Sequence, residues 1–304
     1  MSYVLKTKAL SKNYGHYKVL HNVTMKVPKG SIYGFIGRNG AGKTTLIRLI
    51  CGLQEPTAGQ YSLYGIQHKE KEIVKSRRRM GAVVETPSLY LDMNAEENLK
   101  QQYQIMGQSA FEEIDDLLKL VGLQGTKKKK VKNFSLGMKQ RLGIAIALVG
   151  NPDFLVLDEP LNGLDPQGII EMRELILKLN KEQQITILIS SHILDELSKV
   201  ATHYGFINNG CIVKEMTHEE VEAACRKCLH MEVTDTKLLA YVLDEMKVDY
   251  KILSPTQADV YAKIKISDLC RALEQVSCEL ISIYESQENL ESYFISLVGG
   301  GTYA

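Results

Sequence analysis

Nowhere in the 304 residues does an apolar run approach the roughly 18 residues that a membrane-spanning helix requires. The longest candidate, Leu142 to Val149, is far too short. Met1 to Leu10 holds neither a long apolar core nor a small-residue cleavage site, so it does not read as a secretory signal. The expected location is the cytoplasm, and other chains must supply any membrane-spanning part of a process this chain serves. A large charge of either sign is also missing: 37 Lys and Arg stand against 36 Asp and Glu, a formal net charge of +1 at pH 7. That balance gives no global reason to expect nucleic acid as a partner. Cysteine is sparse, six residues in all. Cys225 and Cys228 form a Cys-x-x-Cys pair, but no second pair follows to complete the four ligands of a structural zinc site. His230 is near and still leaves the set incomplete. A cytosolic chain of this length buries a core without disulfides, so the cysteines read as reduced thiols. No internal repeat is evident.

What remains is ordinary globular composition, 44% apolar and 24% charged, which excludes wholesale disorder and collagen-like architecture. The length suits two domains of roughly 100–200 residues each. The charge is unevenly shared: residues 1–218 carry 29 Lys and Arg against 21 Asp and Glu, whereas residues 219–304 carry 8 against 15. Separate domains explain such a split, as does contact between the two regions.

Alternation of apolar and polar residues predicts antiparallel strands over 3–9 and 19–27. A strand from Ser31 to Ile36 ends at a glycine-rich loop, and a helix follows from about Lys43 to Gly52. Another strand covers about Met80 to Val84. Arg77–Arg79 reads as a solvated face. From about Asp92 to Leu148 the spacing is helical, with Asn94 as N-cap of Ala95–Met106, a second helix over Phe111–Val121 and a third from about Gly137 to Gly150. Lys127–Lys130 plus Lys132 reads either as a solvated loop or as a contact for phosphate or anionic lipid. Phe154–Leu157 is apolar throughout, the pattern of a strand buried on both faces of a parallel sheet. A helix over Gly168–Asn180, a strand over Thr186–Ser190, a helix over Ile193–Ala201 and a hairpin around Asn209-Gly210 complete an alternation that argues α/β with a largely parallel sheet. The tail predicts Leu229–Val233 as strand, Lys237–Lys247 as helix, Tyr250–Leu253 and Val260–Ile264 as a strand pair, Leu269–Val276 as helix, Leu280–Tyr284 as strand and Asn289–Val298 as helix. That order suits a small ferredoxin-like sandwich.

The segment Gly37-Arg-Asn-Gly-Ala-Gly-Lys-Thr44 fits GxxxxGK[ST] between a strand and a helix, the context the motif needs. Glycines such as Gly37, Gly40 and Gly42 let the backbone wrap a polyphosphate with its N–H groups turned inward. Lys43 can neutralise the β and γ phosphates, and the Thr44 hydroxyl can ligate Mg²⁺. The strand from Phe154 delivers Asp158 and Glu159 to its carboxyl end, where open α/β sheets bind ligands. Asp158 then serves as the Mg²⁺-side carboxylate, directly or through water, and Glu159 polarises the attacking water.

These residues resemble the nucleotide-binding subunit of an ABC transporter over residues 1–218, in order. Gly37–Thr45, including Asn39 and Thr45, is similar to its Walker A; Phe154–Pro160 to its Walker B and catalytic glutamate; Phe134–Arg141 to its signature; Gly163–Pro166 to its D-loop; and His192 to its switch histidine. Tyr14 matches the aromatic that stacks on adenine, although an ordinary strand-end aromatic reads the same way. The resemblance implies a P-loop NTPase fold of the ABC ATPase kind, an ATP-binding domain over residues 1–218 with a helical subdomain at about 91–150, and an α+β accessory domain over 219–304. It implies ATP and Mg²⁺ as cofactors and an ATP-dependent dimer in which Ser135 and Gly137 of one copy close on the γ-phosphate held by the other. His192 would sense that phosphate and Asp165 would link the two sites. Integral membrane permease subunits are the implied partners, with the chain peripheral on the inner face of the membrane, and no nucleic acid.

Two departures stand out. The signature has Leu136 and Met138 where the family has glycine and glutamine. Glu85 stands where the family places a glutamine near Mg²⁺, which offers a stronger oxygen ligand and adds charge beside the phosphates. With the signature and the tail Asn289–Gly300, Glu85 resembles the branch acting in bacitracin resistance and lantibiotic immunity. The expectation is an ATP-hydrolysing subunit that powers export of a peptide antibiotic; the alternative is another substrate such as a drug or lipid. Leu89 and Tyr90 read equally as anchors for a membrane subunit or as core residues. ABC-type ATPases acting on ribosomes or DNA usually need two ATPase units or long coiled-coil insertions, and neither is present. Lys43, Asp158, Glu159 and His192 all stand intact, which argues against a module without turnover.

Overall fold

The computed structural model describes residues 2–108, 111–225, 227–262, 264–287 and 290–299. The chain divides into two compact units, Met1–His218 and Glu219–Ala304. Among the described residues no helix is long and apolar enough to cross a membrane.

The first unit holds two sheets. The antiparallel one comprises β1 (Tyr3–Tyr14), β2 (Tyr17–Val23), β3 (Lys26–Pro28) and, further on, β5 (Ala58–Leu63) and β6 (Ile66–Gln67). Its order is β2-β1-β5-β6, with β3 also on β1. The expected strand over 19–27 is therefore broken in two. Buried Thr7 is the reason: its Oγ1 donates to the Val23 carbonyl and accepts from the Met25 N–H, both at 2.9 Å, replacing ladder bonds at the break. Strands β5 and β6, and helix α2 (Ile73–Arg77), arise where the sequence pattern predicts nothing. In β5 only Tyr61 and Leu63 face the core, too little alternation to read as a strand.

The second sheet contains β4 (Ile32–Ile36), β7 (Met80–Val83), β8 (Phe154–Asp158), β9 (Thr186–Ser191), β10 (His203–Asn208) and β11 (Cys211–Thr217). Its order is β11-β10-β4-β9-β8-β7, and every pair but the β10–β11 hairpin is parallel. All residues of β4, β8 and β9 are buried, as strands covered on both faces require. The hairpin turns at Asn209 and Gly210, both with positive φ, which a tight primed turn demands. Helix α1 (Lys43–Ile50) buries Leu46, Ile47, Leu49 and Ile50 in the core between the two sheets.

Helices α3 (Ala95–Ile105), α4 (Ile114–Leu120) and α5 (Leu136–Leu148) pack on one another, and α6 (Pro166–Gln183) and α7 (Leu194–Ser198) follow later in the chain. Asn94 caps α3 in a reciprocal pair with Glu97, satisfying two end groups at once. Buried Asn98 holds both backbone groups of Tyr90. Tyr90 itself is exposed, Leu89 is half-buried, and neither belongs to the core. A side chain at Gly143 would strike Pro87 at 2.6 Å, so that glycine lets the loop after β7 lie on α5. Arg77–Arg79 is a solvated face only in part: Arg78 and Arg79 are exposed, whereas Arg77 is half-buried. Arg77 Nη2 donates to the Tyr61 hydroxyl at 2.6 Å while its guanidinium covers Gly52, and Arg79 pairs with Asp153 over the Tyr64 ring. Aromatic faces and a buried hydroxyl make better partners for these guanidinium groups than water alone.

The second unit comprises α8 (His218–Ala224, crossing the boundary), β12 (Lys227–Val233), α9 (Thr236–Glu245), β13 (Tyr250–Ile252), β14 (Gln257–Val260), α10 (Ile266–Gln275), β15 (Leu280–Gln287) and α11 (Leu290–Gly299). Its sheet is antiparallel, in the order β13-β14-β12-β15, and Met231, Val233, Ala258 and Val260 pack beneath α9 and α10. Strand β14 lies earlier than the expected Val260–Ile264. The turn at Pro255 closes with Leu253 and Gln257 already paired, so the return strand starts at once. Asn289, where the sequence places the start of the last helix, lies outside the described residues.

Candidate nucleotide site

The site is assembled at the carboxyl ends of β4, β8 and β9. After Ile36 the chain turns through Gly37–Gly42 into α1. Gly42 has φ 105°, and a side chain there would lie 2.7 Å from Leu20 Cδ2 and 3.1 Å from the Val19 carbonyl. Only glycine allows that loop to pass so close to β2. A cavity of about 250 Å³ lies over the loop, bordered by Asn39, Gly40, Gly42, Lys43, Thr44 and Thr45 together with Glu159.

Lys43 is buried, with its side chain 6% exposed. Its Nζ donates to the Gly37 carbonyl at 2.6 Å and the Arg38 carbonyl at 3.3 Å, and stands 3.1 Å from Glu159 Oε1. The other oxygen of Glu159 lies 2.7 Å from His192 Nδ1. One carboxylate therefore joins the phosphate-loop lysine to the histidine after β9. Glu159 is held there by its backbone: φ is +50°, which takes it out of the strand, and its N–H donates to Ser190 Oγ at 2.9 Å and to the Ser190 carbonyl at 3.2 Å. Thr44 Oγ1 donates to Asp158 Oδ2 at 2.8 Å, and Ser190 Oγ donates to Asp158 Oδ1 at 2.6 Å. A hydroxyl and a carboxylate side by side form a hard oxygen donor set, the chemistry Mg²⁺ takes, so Thr44 and Asp158 fit that ion. Asp158 also acts on a neighbour. Burial first, and then the Asp158 charge, push the Cys51 thiol up to about 12, against a smaller lowering by Arg77.

The remaining candidates stand apart from this cluster. Tyr14 is 44% exposed at the end of β1, with its hydroxyl donating to Gln54 and Lys12 over its ring. Ser135 caps α5, accepting from the Met138 N–H at 3.3 Å, and α5 starts at Leu136 rather than Gly137. Asp165 caps α6, accepting from the Gly168 N–H at 3.0 Å. These two turns touch. A Cβ at Gly163 would lie 3.0 Å from Leu136 Cδ2, and one at Gly137 would lie 3.6 Å from Leu164 Cδ2. Glu85 takes a positive φ of 60°, and its carboxylate lies 2.6 Å from Arg48 Nη2, so its partner is a guanidinium rather than Thr44 or Asp158. Ser190 and Arg48 contact these candidate residues, and the sequence pattern does not single them out. The signal for Ser190 is only a pair of serines closing an apolar strand; for Arg48 it is a cation four residues after Thr44 on a short helix.

An ABC transporter family pattern matches residues 20–162. Along its full length the chain is similar to the bacitracin transport ATP-binding protein BcrA of Bacillus licheniformis, at 43% identity over 308 aligned residues covering 99% of each chain. The chain belongs to the ABC transporter ATP-binding proteins. The lantibiotic transport ATP-binding protein SrtF of Streptococcus pyogenes is 44% identical over 219 residues, covering 72% of this ABC protein and 93% of that one. Among solved structures, the dimeric ATP-binding cassette MJ0796 bound to ADP and Pi, in a post-hydrolysis state, superimposes with a TM-score of 0.63 at 25% identity, covering 70% of this chain and 98% of that chain. The fold is thus that of the ABC cassettes, and the chain is an ATP-hydrolysing ABC subunit.

Proposed function

We propose that two copies of this ATPase clamp ATP between them and use its hydrolysis to power export of a membrane-active peptide antibiotic through separate permease subunits. Residues 1–218 form the ATP-binding domain, with residues 91–150 as its helical subdomain, and residues 219–304 form an accessory domain. The observation that carries the hydrolytic part is the carboxylate of Glu159, held between Lys43 and His192 at the edge of the phosphate-loop cavity.

The chemistry follows from those contacts. Backbone N–H groups of Gly37–Lys43 and the start of α1 receive the phosphates. Lys43 exchanges the Glu159 carboxylate for phosphate oxygen, which leaves that carboxylate to accept a proton from the attacking water. His192 keeps the carboxylate aimed through its 2.7 Å contact and meets the γ-phosphate. Thr44 and Asp158 hold Mg²⁺, which when bound neutralises charge on the phosphates. Ser135 and Gly137, at the positive end of α5, face the nucleotide of the second copy, and Asp165 lies between the two sites. Tyr14 stacks on adenine. Glu85, tied to Arg48 Nη2 at 2.6 Å, stands back from the metal side.

The substrate class rests on likeness: proteins named for bacitracin and lantibiotic transport match this chain, the former from end to end. The protein then sits at the inner face of the membrane through its permease. Co-purification identifies that permease, and a strain carrying the pair is tested for sensitivity to bacitracin and lantibiotics. Protection that disappears with Lys43→Ala supports the proposal. Unaltered sensitivity to every peptide, with protection against a drug instead, contradicts it.

A further inference from the structure

The carboxylate at position 85 is not loose. Arg48 Nη2 holds Glu85 Oε1 at 2.6 Å across a separation of 37 residues. Arg48 stands four residues after Thr44 on α1, so the two side chains share one helix face about 6 Å apart along the axis. The Thr44 hydroxyl meets Asp158 at the first turn, and Arg48 meets Glu85 one turn later. The loop after β7 is thereby tied to the helix that begins the phosphate site. A glutamine at position 85 carries no charge and makes a weaker partner for a guanidinium. Arg48 is also the cation that offsets the extra negative charge Glu85 brings toward the phosphates. Strand β7 pairs with β8 with Val83 opposite Leu157, so the loop that carries Glu85 leaves the sheet beside Asp158.

Resting on the nucleotide reading above, we infer that Arg48 is a positioning residue for Glu85: it docks the loop after β7 onto α1 and restrains the Glu85 carboxylate from the metal side of the site. Without Arg48 the carboxylate acts on the bound groups in two opposite ways. Free of metal, it repels the polyphosphate. With Mg²⁺ present, it offers the ion another oxygen.

The test is a double-mutant cycle on the full chain with Arg48→Gln and Glu85→Gln. Affinity for a fluorescent ATP analogue is measured in EDTA, and the Mg²⁺ concentration for half-maximal ATPase is measured separately. Both side chains are partly exposed (36% and 55%), so the effects are small, about three- to fivefold. Arg48→Gln is expected to weaken metal-free binding by that factor and to lower the half-saturating Mg²⁺ concentration. In the Glu85→Gln background the same change is expected to do neither, and Arg48→Lys, which keeps the cation, is expected to retain most of the parental affinity and Mg²⁺ requirement. Equal effects of Arg48→Gln in the two backgrounds, or no effect in either, would overturn the inference. Lys43→Ala serves as the control: if it leaves nucleotide affinity unchanged, the nucleotide reading itself fails and takes the role of Arg48 with it.

Discussion

Ser190 offers the sharpest quantitative handle on the site. It is fully buried at the end of β9, and its hydroxyl performs two tasks, donating to Asp158 Oδ1 and accepting from the Glu159 N–H. Replacing it with alanine removes a hydrogen bond to a buried carboxylate, a contact worth about 1.5–3 kcal/mol. The Glu159 N–H keeps its 3.2 Å bond to the Ser190 carbonyl, so it is weakened rather than orphaned. A net loss of about 2–3 kcal/mol follows, which lowers Tm by about 4–12 °C for a unit of this size. Asp158 also loses the partner that fixes its orientation toward Thr44, and outer partners of this kind are worth about 10–100-fold in metal affinity. Ser190→Ala should therefore raise the Mg²⁺ concentration for half-maximal ATPase at least about tenfold, while Ser190→Thr, which keeps the hydroxyl, should not. Differential scanning calorimetry and a Mg²⁺ titration of turnover read the two effects. A Tm within about 1 °C of the parent together with an unchanged Mg²⁺ requirement would refute this account of Asp158.

Two other substitutions or treatments probe the structure at a distance from the phosphates. Asn94→Ala removes the cap of α3 and should cost about 1 kcal/mol, seen as a small drop in Tm with ATPase activity retained; an unchanged Tm would mean that the capping pair does not form. The Cys51 thiol, pushed up to about 12, holds only about one thiolate in ten thousand at pH 8. Because the shift is upward, its reactivity should rise only as pH climbs toward that value. A thiol-specific reagent at pH 8 should therefore modify exposed Cys211 well before Cys51, as read by peptide mass mapping, and the reverse order would contradict the burial described here.

The parts of this protein that could be read from sequence are those in which a short stretch contains its own explanation. Gly37–Thr44 carries the loop, the cation and the hydroxyl together, and Phe154–Leu157 shows burial on both faces by being apolar throughout. Asn94 announces its helix because the capping partner Glu97 lies three residues on. What escaped depends on residues distant in the chain. Ser190 matters because β9 lies beside β8, a neighbour relation no local pattern encodes. Thr7 splits the strand over 19–27 through contacts 16 and 18 residues away. Arg77 looks like a surface charge until Tyr61 and Gly52 fold beneath it. Glu85 was legible as a departure in type, but its partner Arg48 was not, since an ion pair across 37 residues leaves no trace in spacing.

If Glu159 activates the water whose attack loosens a nucleotide-bound pair of these chains, the mass of Glu159→Gln in solution must show it. Removing the base should reduce turnover by about 10²–10⁴-fold and leave ATP bound. Light scattering coupled to size exclusion should then show a dimer with saturating MgATP, a monomer without it, and a monomer again when Ser135 is replaced by arginine. A Glu159→Gln protein that stays monomeric in saturating MgATP and hydrolyses it at the parental rate would contradict the account.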